Sequence, residues 1–113
     1  MQVVKNSQKK AHKSGGSAIV YEYETADPSL GGATASIEGR YPAHGYVVNL
    51  EVKQLVYVLS GSGDILTEGR KHEITAGDVI FIDRGEKFAW NGGMSLFLAN
   101  APRFDPAQYR ETA

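Results

Sequence analysis

Short apolar runs alternate with glycine-rich segments along most of the chain. The runs are rich in β-branched and aromatic residues, and several alternate with a period of two, which is the period of a β-strand. In residues 18–24, for example, Ile19, Tyr21 and Tyr23 share one face, and Val20 lies on the other. The predicted strands are residues 18–24, 33–37, 46–52, 55–59, 64–68, 71–74, 79–82, 88–90 and 95–100.

Glycine clusters separate these runs, and glycine favours turns because it has no Cβ and adopts positive φ readily. The predicted turns lie at residues 31–32, 61–64, 68–70, 76–78, 84–86 and 91–93. Strands of this length and spacing predict an all-β sandwich or barrel. One helical turn is expected at Pro106, with Asp105 as its N-cap.

The first 17 residues differ from the rest in charge. Lys5, Lys9, Lys10 and Lys13 all lie in the first 20 residues, which contain no acidic residue. We therefore expect a polar, basic N-terminal arm over residues 1–17, loosely held, and a barrel domain over residues 18–113. Binding of an acidic partner by this arm is an alternative to a solvated terminus.

Composition narrows the function classes. With 113 residues the chain has room for one domain. Its 12 basic and 13 acidic residues exclude a strongly basic nucleic-acid-binding domain. The absence of cysteine excludes disulfides, thiol nucleophiles and cysteine metal sites. No apolar run reaches the length of a membrane span, and no secretory signal is visible, so we expect a cytoplasmic protein without membrane or nucleic-acid partners.

Two segments resemble the conserved motifs of the cupin superfamily. Residues 54–61 (QLVYVLSG) resemble the end of the first motif, in which a metal-binding Glu stands seven residues before a glycine. Residues 77–91 (GDVIFIDRGEKFAWN) match the spacing of Gly77, Gly85 and Asn91 in the second motif. The resemblance covers about residues 39–106. It implies a cupin-type jelly-roll β-barrel, also called a double-stranded β-helix, which is usually a dimer.

The resemblance also shows which residues occupy the metal-ligand positions of the family. The Glu position holds Gln54, the two His positions of the first motif hold Val48 and Leu50, and the His position of the second motif holds Phe88. Valine, leucine and phenylalanine have no lone pair for a metal, and one amide oxygen is too little for a transition metal. We therefore expect no metal and no cofactor.

A second alignment of the first motif gives another candidate metal site. His44, Tyr46 and Glu51 fit the family spacing with Tyr46 in place of the second His. This alignment lacks the glycine, because Val58 stands seven residues after Glu51. It therefore supports only an alternative, a metal-dependent cupin dioxygenase or isomerase with ligands that the sequence does not identify.

The inward faces of the motif strands predict a pocket. Its expected ligand-binding residues are Tyr46, Val48, Leu50, Gln54, Phe88 and Trp90. Apolar walls with a few polar groups suit a small organic ligand, although the same side chains could simply fill the barrel. The preferred function is metal-free small-molecule binding, as a sensor or accessory domain.

Catalysis is the alternative function for this pocket. It would be a metal-independent isomerase, epimerase or lyase, with His44 and Tyr46 as catalytic residues that transfer protons.

A homodimer is also expected. A barrel must cover its sheet edges, and the tyrosine-rich strand predicted over residues 18–24 offers a surface for a partner copy.

Overall fold

Nine β-strands and two short 3-10 turns form the regular structure of the computed structural model, which describes residues 1–13 and 16–112. The strands are β1 (Lys10–Lys13), β2 (Ala18–Tyr23), β3 (Gly31–Tyr41), β4 (Tyr46–Asn49), β5 (Lys53–Thr67), β6 (Arg70–Thr75), β7 (Val79–Ile82), β8 (Lys87–Ala101) and β9 (Tyr109–Thr112). The 3-10 turns are Asn6–Gln8 and Pro106–Gln108. Ser14 and Gly15 of the predicted arm, and Ala113 of the predicted domain, lie outside the described residues.

All paired strands are antiparallel, and together they form one hydrogen-bonded sheet that curls around a cavity. The first half-sheet has the order β1–β2–β3–β8–β5–β7 and uses the start of β5 and the end of β8. The second half-sheet has the order β6–β5–β8–β4–β9 and uses the end of β5 and the start of β8. The predicted all-β jelly roll is confirmed.

The long strands bend from one half-sheet into the other at glycines that face each other. Gly92 of β8 pairs with Gly63 of β5 on one side and with Gly39 of β3 on the other. A Cβ at Gly92 would lie 2.6 Å from the Cα of Gly63, and a Cβ at Gly61 would overlap the carbonyl oxygen of Gly93. Gly61 and Gly92 also have positive φ angles, which favour glycine. Both the bend and the close backbone contact therefore require glycine at this corner.

These bends correct the predicted turns at residues 61–64 and 91–93. Both segments lie inside continuous 15-residue strands, so four predicted strands merge into two, β5 and β8. The prediction failed because glycine permits a corner within a strand as readily as a turn between strands. The strand predicted at residues 79–82 coincides with β7, and the helical turn at Pro106 is confirmed, with Asp105 as its cap.

The N-terminal segment is also more ordered than predicted. Lys10–Lys13 forms β1 and pairs along its length with β2, and an exposed ion pair joins Lys10 to Glu24 at 2.8 Å. The segment is therefore an edge strand of the first half-sheet where a loosely held arm was expected.

The apolar core lies on the concave side of the curled sheet. Its fully buried members include Ile37, Val47, Val56, Val58 and Leu96. In β5 the buried side chains alternate with exposed ones, as expected for a strand with one buried face. Within the described residues, no helix has the length and hydropathy that crossing a membrane requires.

Candidate functional site

A cavity of about 550 Å³ lies between the two half-sheets. Small side chains of β2 and β3 leave the space, because Ala18, Ala33 and Ala35 point into it where larger residues would fill it. The remaining apolar wall consists of Val20, Ile37, Leu98, Phe88, Trp90 and Phe104. Phe88 and Trp90 pack edge to face, with ring centroids 5.9 Å apart.

Strand register fixes which side chains reach this cavity. Residues opposite each other on neighbouring strands point to the same face. One such row joins His12 of β1 to Val20, Ala35 and Leu96. The cavity wall is therefore set by pairing across the sheet, and β1 contributes to it directly.

Two buried amides face the cavity from adjacent strands. Gln54 of β5 and Asn100 of β8 are directly opposite each other, and each is more than 90% buried. The Gln54 Nε2 donates a hydrogen bond to the Asn100 Oδ1 at 3.0 Å. Both residues line the cavity. We call them the amide pair.

A second set of polar side chains lines the cavity and is partly exposed to solvent. This set, the mouth, consists of His12, Glu22, Tyr41, Tyr109 and Glu111. Glu111 is exposed, whereas His12, Glu22 and Tyr109 are half-buried. The His12 Nε2 is shielded and has no hydrogen-bond partner among the described residues.

Two phenols of the mouth are hydrogen-bonded to each other. The hydroxyl groups of Tyr41 and Tyr109 are 2.7 Å apart and share a hydrogen bond. Burial, followed by this hydrogen bond, raises the pKa of the Tyr109 phenol above its usual range. The Tyr109 phenol therefore stays neutral at physiological pH.

The cavity carries more negative than positive charge. Glu22 and Glu111 line it, whereas no lysine or arginine does so in the part of the chain that the structure describes. Even with a proton on both nitrogens of His12, the two carboxylates leave a net negative charge. Among the described lining residues there is therefore no lysine or arginine to hold a phosphate or carboxylate group.

Three of the six predicted pocket residues line the cavity and three do not. Gln54, Phe88 and Trp90 lie in its wall. Val48 is buried outside the lining, Tyr46 is half-buried, and Leu50 is exposed. These last three correct the expectation that all six side chains share one inward face.

The reason for this difference is a clamp formed by Gln108. Its side-chain carbonyl accepts hydrogen bonds from the backbone N–H groups of Glu51 and Val52, at 3.1 and 3.3 Å. Its Nε2 donates to the Asn49 Oδ1 at 2.7 Å. The chain therefore leaves β4 at Leu50, and the alternation of side chains does not continue from β4 into β5.

The predicted catalytic pair also lies outside the cavity. His44 is exposed on the bend between β3 and β4, and neither His44 nor Tyr46 contributes to the cavity lining. The Tyr46 ring instead lies 5.8 Å from the guanidinium carbon of Arg40.

Sequence reasoning missed most of the mouth. His12 and Tyr109 lie in short strands without apolar alternation, and Asn100 was read only as the end of a strand. The sequence signal for Asn100, which belongs to the amide pair, was the period of two in residues 95–100. This period puts Asn100 on the same face as Leu98 and Leu96.

The residues present do not fit the metal of the cupin motif. Its ligand positions hold Val48, Leu50, Gln54 and Phe88, of which only Gln54 has a donor atom, and Gln54 is engaged with Asn100. His44 and Glu51, the ligands of the second alignment, are exposed. Nor do the described residues contain a cluster of three or more His, Asp or Glu side chains that could hold a metal ion.

Comparison with known proteins finds a cupin profile and cupin folds. The sequence profile of the EutQ-like cupin domain matches residues 42–93. An RmlC-like cupin from Shewanella frigidimarina has the same fold, with a TM-score of 0.72 and 20% identity over 91% of this chain and 92% of that one. Residues 42–93 therefore match a cupin profile, and the chain has the cupin jelly-roll fold.

Two structures of higher similarity come from Streptomyces. The nucleoside dehydratase Pac13 has a TM-score of 0.87 and 20% identity, over 99% of this chain and 91% of that one. The polyketide cyclase RemF from Streptomyces resistomycificus has a TM-score of 0.75 and 21% identity, over 100% of this chain and 86% of that one. At this level of identity the similarity establishes the fold. No curated protein sequence matches the chain significantly.

Proposed function

We propose that this protein binds a small organic molecule in the cavity between its half-sheets, without a metal. The observation that carries the proposal is the cavity itself, since about 550 Å³ lies within the range of small-molecule sites. Its wall is mostly apolar, with an amide pair inside and a polar mouth. Such a site buries an apolar ligand body and orients it through a few polar groups.

The structural neighbours support this proposal. Pac13 is named for a nucleoside substrate and RemF for a polyketide, so chains with this fold act on small organic molecules. Binding is favoured over the isomerase, epimerase or lyase predicted from His44 and Tyr46, because those two side chains have no access to the cavity. It is favoured over a metal-dependent enzyme because the donor set does not fit a metal.

The experiment uses a neutral fluorescent probe, N-phenyl-1-naphthylamine, whose emission rises in apolar surroundings. We expect saturable binding of one probe per chain. Substitution Ala35→Leu, which adds three carbon atoms to a side chain in the cavity wall, should weaken binding at least about tenfold. The matched control is Ser36→Leu, because Ser36 neighbours Ala35 on β3 and points to the opposite face.

Binding lost in Ala35→Leu and retained in Ser36→Leu, with both variants folded, would support the cavity as the site. Absence of saturable binding, or equal affinity in all three proteins, would contradict the proposal.

A further inference from the structure

We infer that the amide pair recognises a ligand with a neutral cyclic amide or imide edge, such as a lactam or a pyrimidine-dione. This inference rests on the proposed function and specifies the ligand class of the same cavity. Its basis is the hydrogen bonding of Gln54 and Asn100. Gln54 occupies a metal-ligand position of the cupin motif, and Asn100 lies opposite it on the neighbouring strand β8.

The shared hydrogen bond leaves one donor group and one acceptor group free. The Gln54 Nε2 and the Asn100 Oδ1 bond to each other, so the Gln54 Oε1 and the Asn100 Nδ2 have no protein partner among the described residues. Turning both amides reverses the roles and again leaves one acceptor and one donor. In either orientation, the amide pair therefore has one unpaired N–H donor group beside one unpaired carbonyl acceptor.

Burial makes these free groups selective. The exposed fractions of Gln54 and Asn100 are 7% and 3%, and both residues line the cavity. A ligand that displaces water there without replacing its hydrogen bonds leaves buried polar groups unpaired, which is costly. A ligand with adjacent N–H and C=O groups satisfies both.

The rest of the cavity suits a flat, uncharged ring of this kind. Phe88 and Trp90 provide aromatic surface, and Ala33 and Ala35 leave space beside it. The carboxylates of the mouth, with no lysine or arginine among the described lining residues, disfavour an anionic substituent.

The test uses uridine, 2-pyridone and phthalimide, each compared with the derivative methylated on the ring N–H. Binding is followed by the fluorescence of Trp90, the single tryptophan, which lies in the cavity wall. We expect at least one parent compound to bind with a Kd below about 1 mM, and its methylated form to bind at least about tenfold more weakly.

The matched variant replaces both amides, as Gln54→Met with Asn100→Leu. Removing both partners of a buried hydrogen bond avoids leaving one unpaired, so this variant keeps an apolar, folded wall. It should bind parent and methylated compounds equally. Saturable binding of N-phenyl-1-naphthylamine by this variant, at whatever affinity, would show that its cavity is intact.

Three results would overturn the inference: no binding by any parent compound, no loss on methylation, or a preference that survives in the double variant. If the naphthylamine probe still binds and responds to Ala35→Leu, only the inference fails. If that probe also fails, the proposed function fails with it.

Discussion

At the scale of single residues, the hydrogen bond between Tyr41 and Tyr109 links the cavity to the stability of the fold. Burial raises the pKa of Tyr109, so the folded chain holds the phenolic proton more tightly than the unfolded chain does. The contribution of the neutral Tyr109 phenol to the free energy of unfolding is therefore complete below the ordinary tyrosine pKa of about 10. It is lost as pH rises above that value.

We expect Tyr109→Phe to make stability less dependent on pH above about 10. The free energy of unfolding of the natural chain should fall faster, by at most about 1.4 kcal/mol per pH unit for one proton. Urea unfolding at pH 9, 10 and 11 measures this difference. The control is Tyr57→Phe, an exposed tyrosine. Parallel curves for the natural chain and Tyr109→Phe would show that the phenol titrates alike in both states.

The carboxylates of the mouth give a prediction about ligand charge. The probe 8-anilino-1-naphthalenesulfonate differs from N-phenyl-1-naphthylamine by one sulfonate group. We expect the anionic probe to bind the cavity at least about tenfold more weakly, since Glu22 and Glu111 repel it and no lining lysine or arginine of the described residues compensates.

Two variants isolate the cause of that difference. The double substitution Glu22→Gln with Glu111→Gln should narrow the affinity gap, whereas Glu38→Gln, an exposed residue outside the cavity, should leave it unchanged. Equal affinity for both probes in the natural chain would contradict the electrostatic explanation.

At the scale of strands, the glycine corner is the feature most sensitive to substitution. Gly61 and Gly69 have nearly the same φ, +82° and +79°, but only Gly61 faces another strand. We expect Gly69→Ala to cost about 1–2 kcal/mol for the positive φ alone. Gly61→Ala should cost at least about 2 kcal/mol more, because its Cβ overlaps the backbone of β8.

Urea unfolding of both glycine variants compares these costs at equal backbone conformation. Similar losses of stability would mean that β5 and β8 can move apart at the corner without penalty. Failure of Gly61→Ala to fold, beside a folded Gly69→Ala, would agree with the expectation.

The glycine corner also shows how far the sequence predicts the strands. Apolar alternation located β7 and most of β2, β3, β5 and β8. Local sequence could not distinguish a corner from a turn, because Gly61 and Gly92 owe their role to strands that lie far apart along the chain. Strands β1 and β9 lack an apolar pattern, so the sequence did not predict them. Each is held by pairing with a neighbouring strand, β1 with β2 and β9 with β4.

The sequence predicted those residues of the candidate site that lie within the two cupin motifs. Gln54, Phe88 and Trp90 line the cavity, but Leu50 does not, because the Gln108 clamp ends the alternation. The amide pair joins residues 46 positions apart. Contacts of this kind are set by register, which a single sequence does not specify when glycine corners and loops intervene.

At the scale of the whole molecule, the two half-sheets share their longest strands. Strands β5 and β8 pair from Lys53 opposite Ala101 to Leu66 opposite Ala89, crossing the glycine corner without a break in the hydrogen-bonded ladder apart from one bulge. Neither half-sheet can separate without removing β5 and β8 from the other. The cavity therefore exists only when both half-sheets are formed.

We accordingly expect the chain to unfold in one cooperative transition. Trp90 reports on the cavity wall, where it lies opposite Tyr41 and Ile65, and far-ultraviolet circular dichroism reports on all the strands. The two signals should give the same midpoint in urea. A tryptophan transition that precedes the loss of strand signal would contradict this expectation and show that the second half-sheet opens alone.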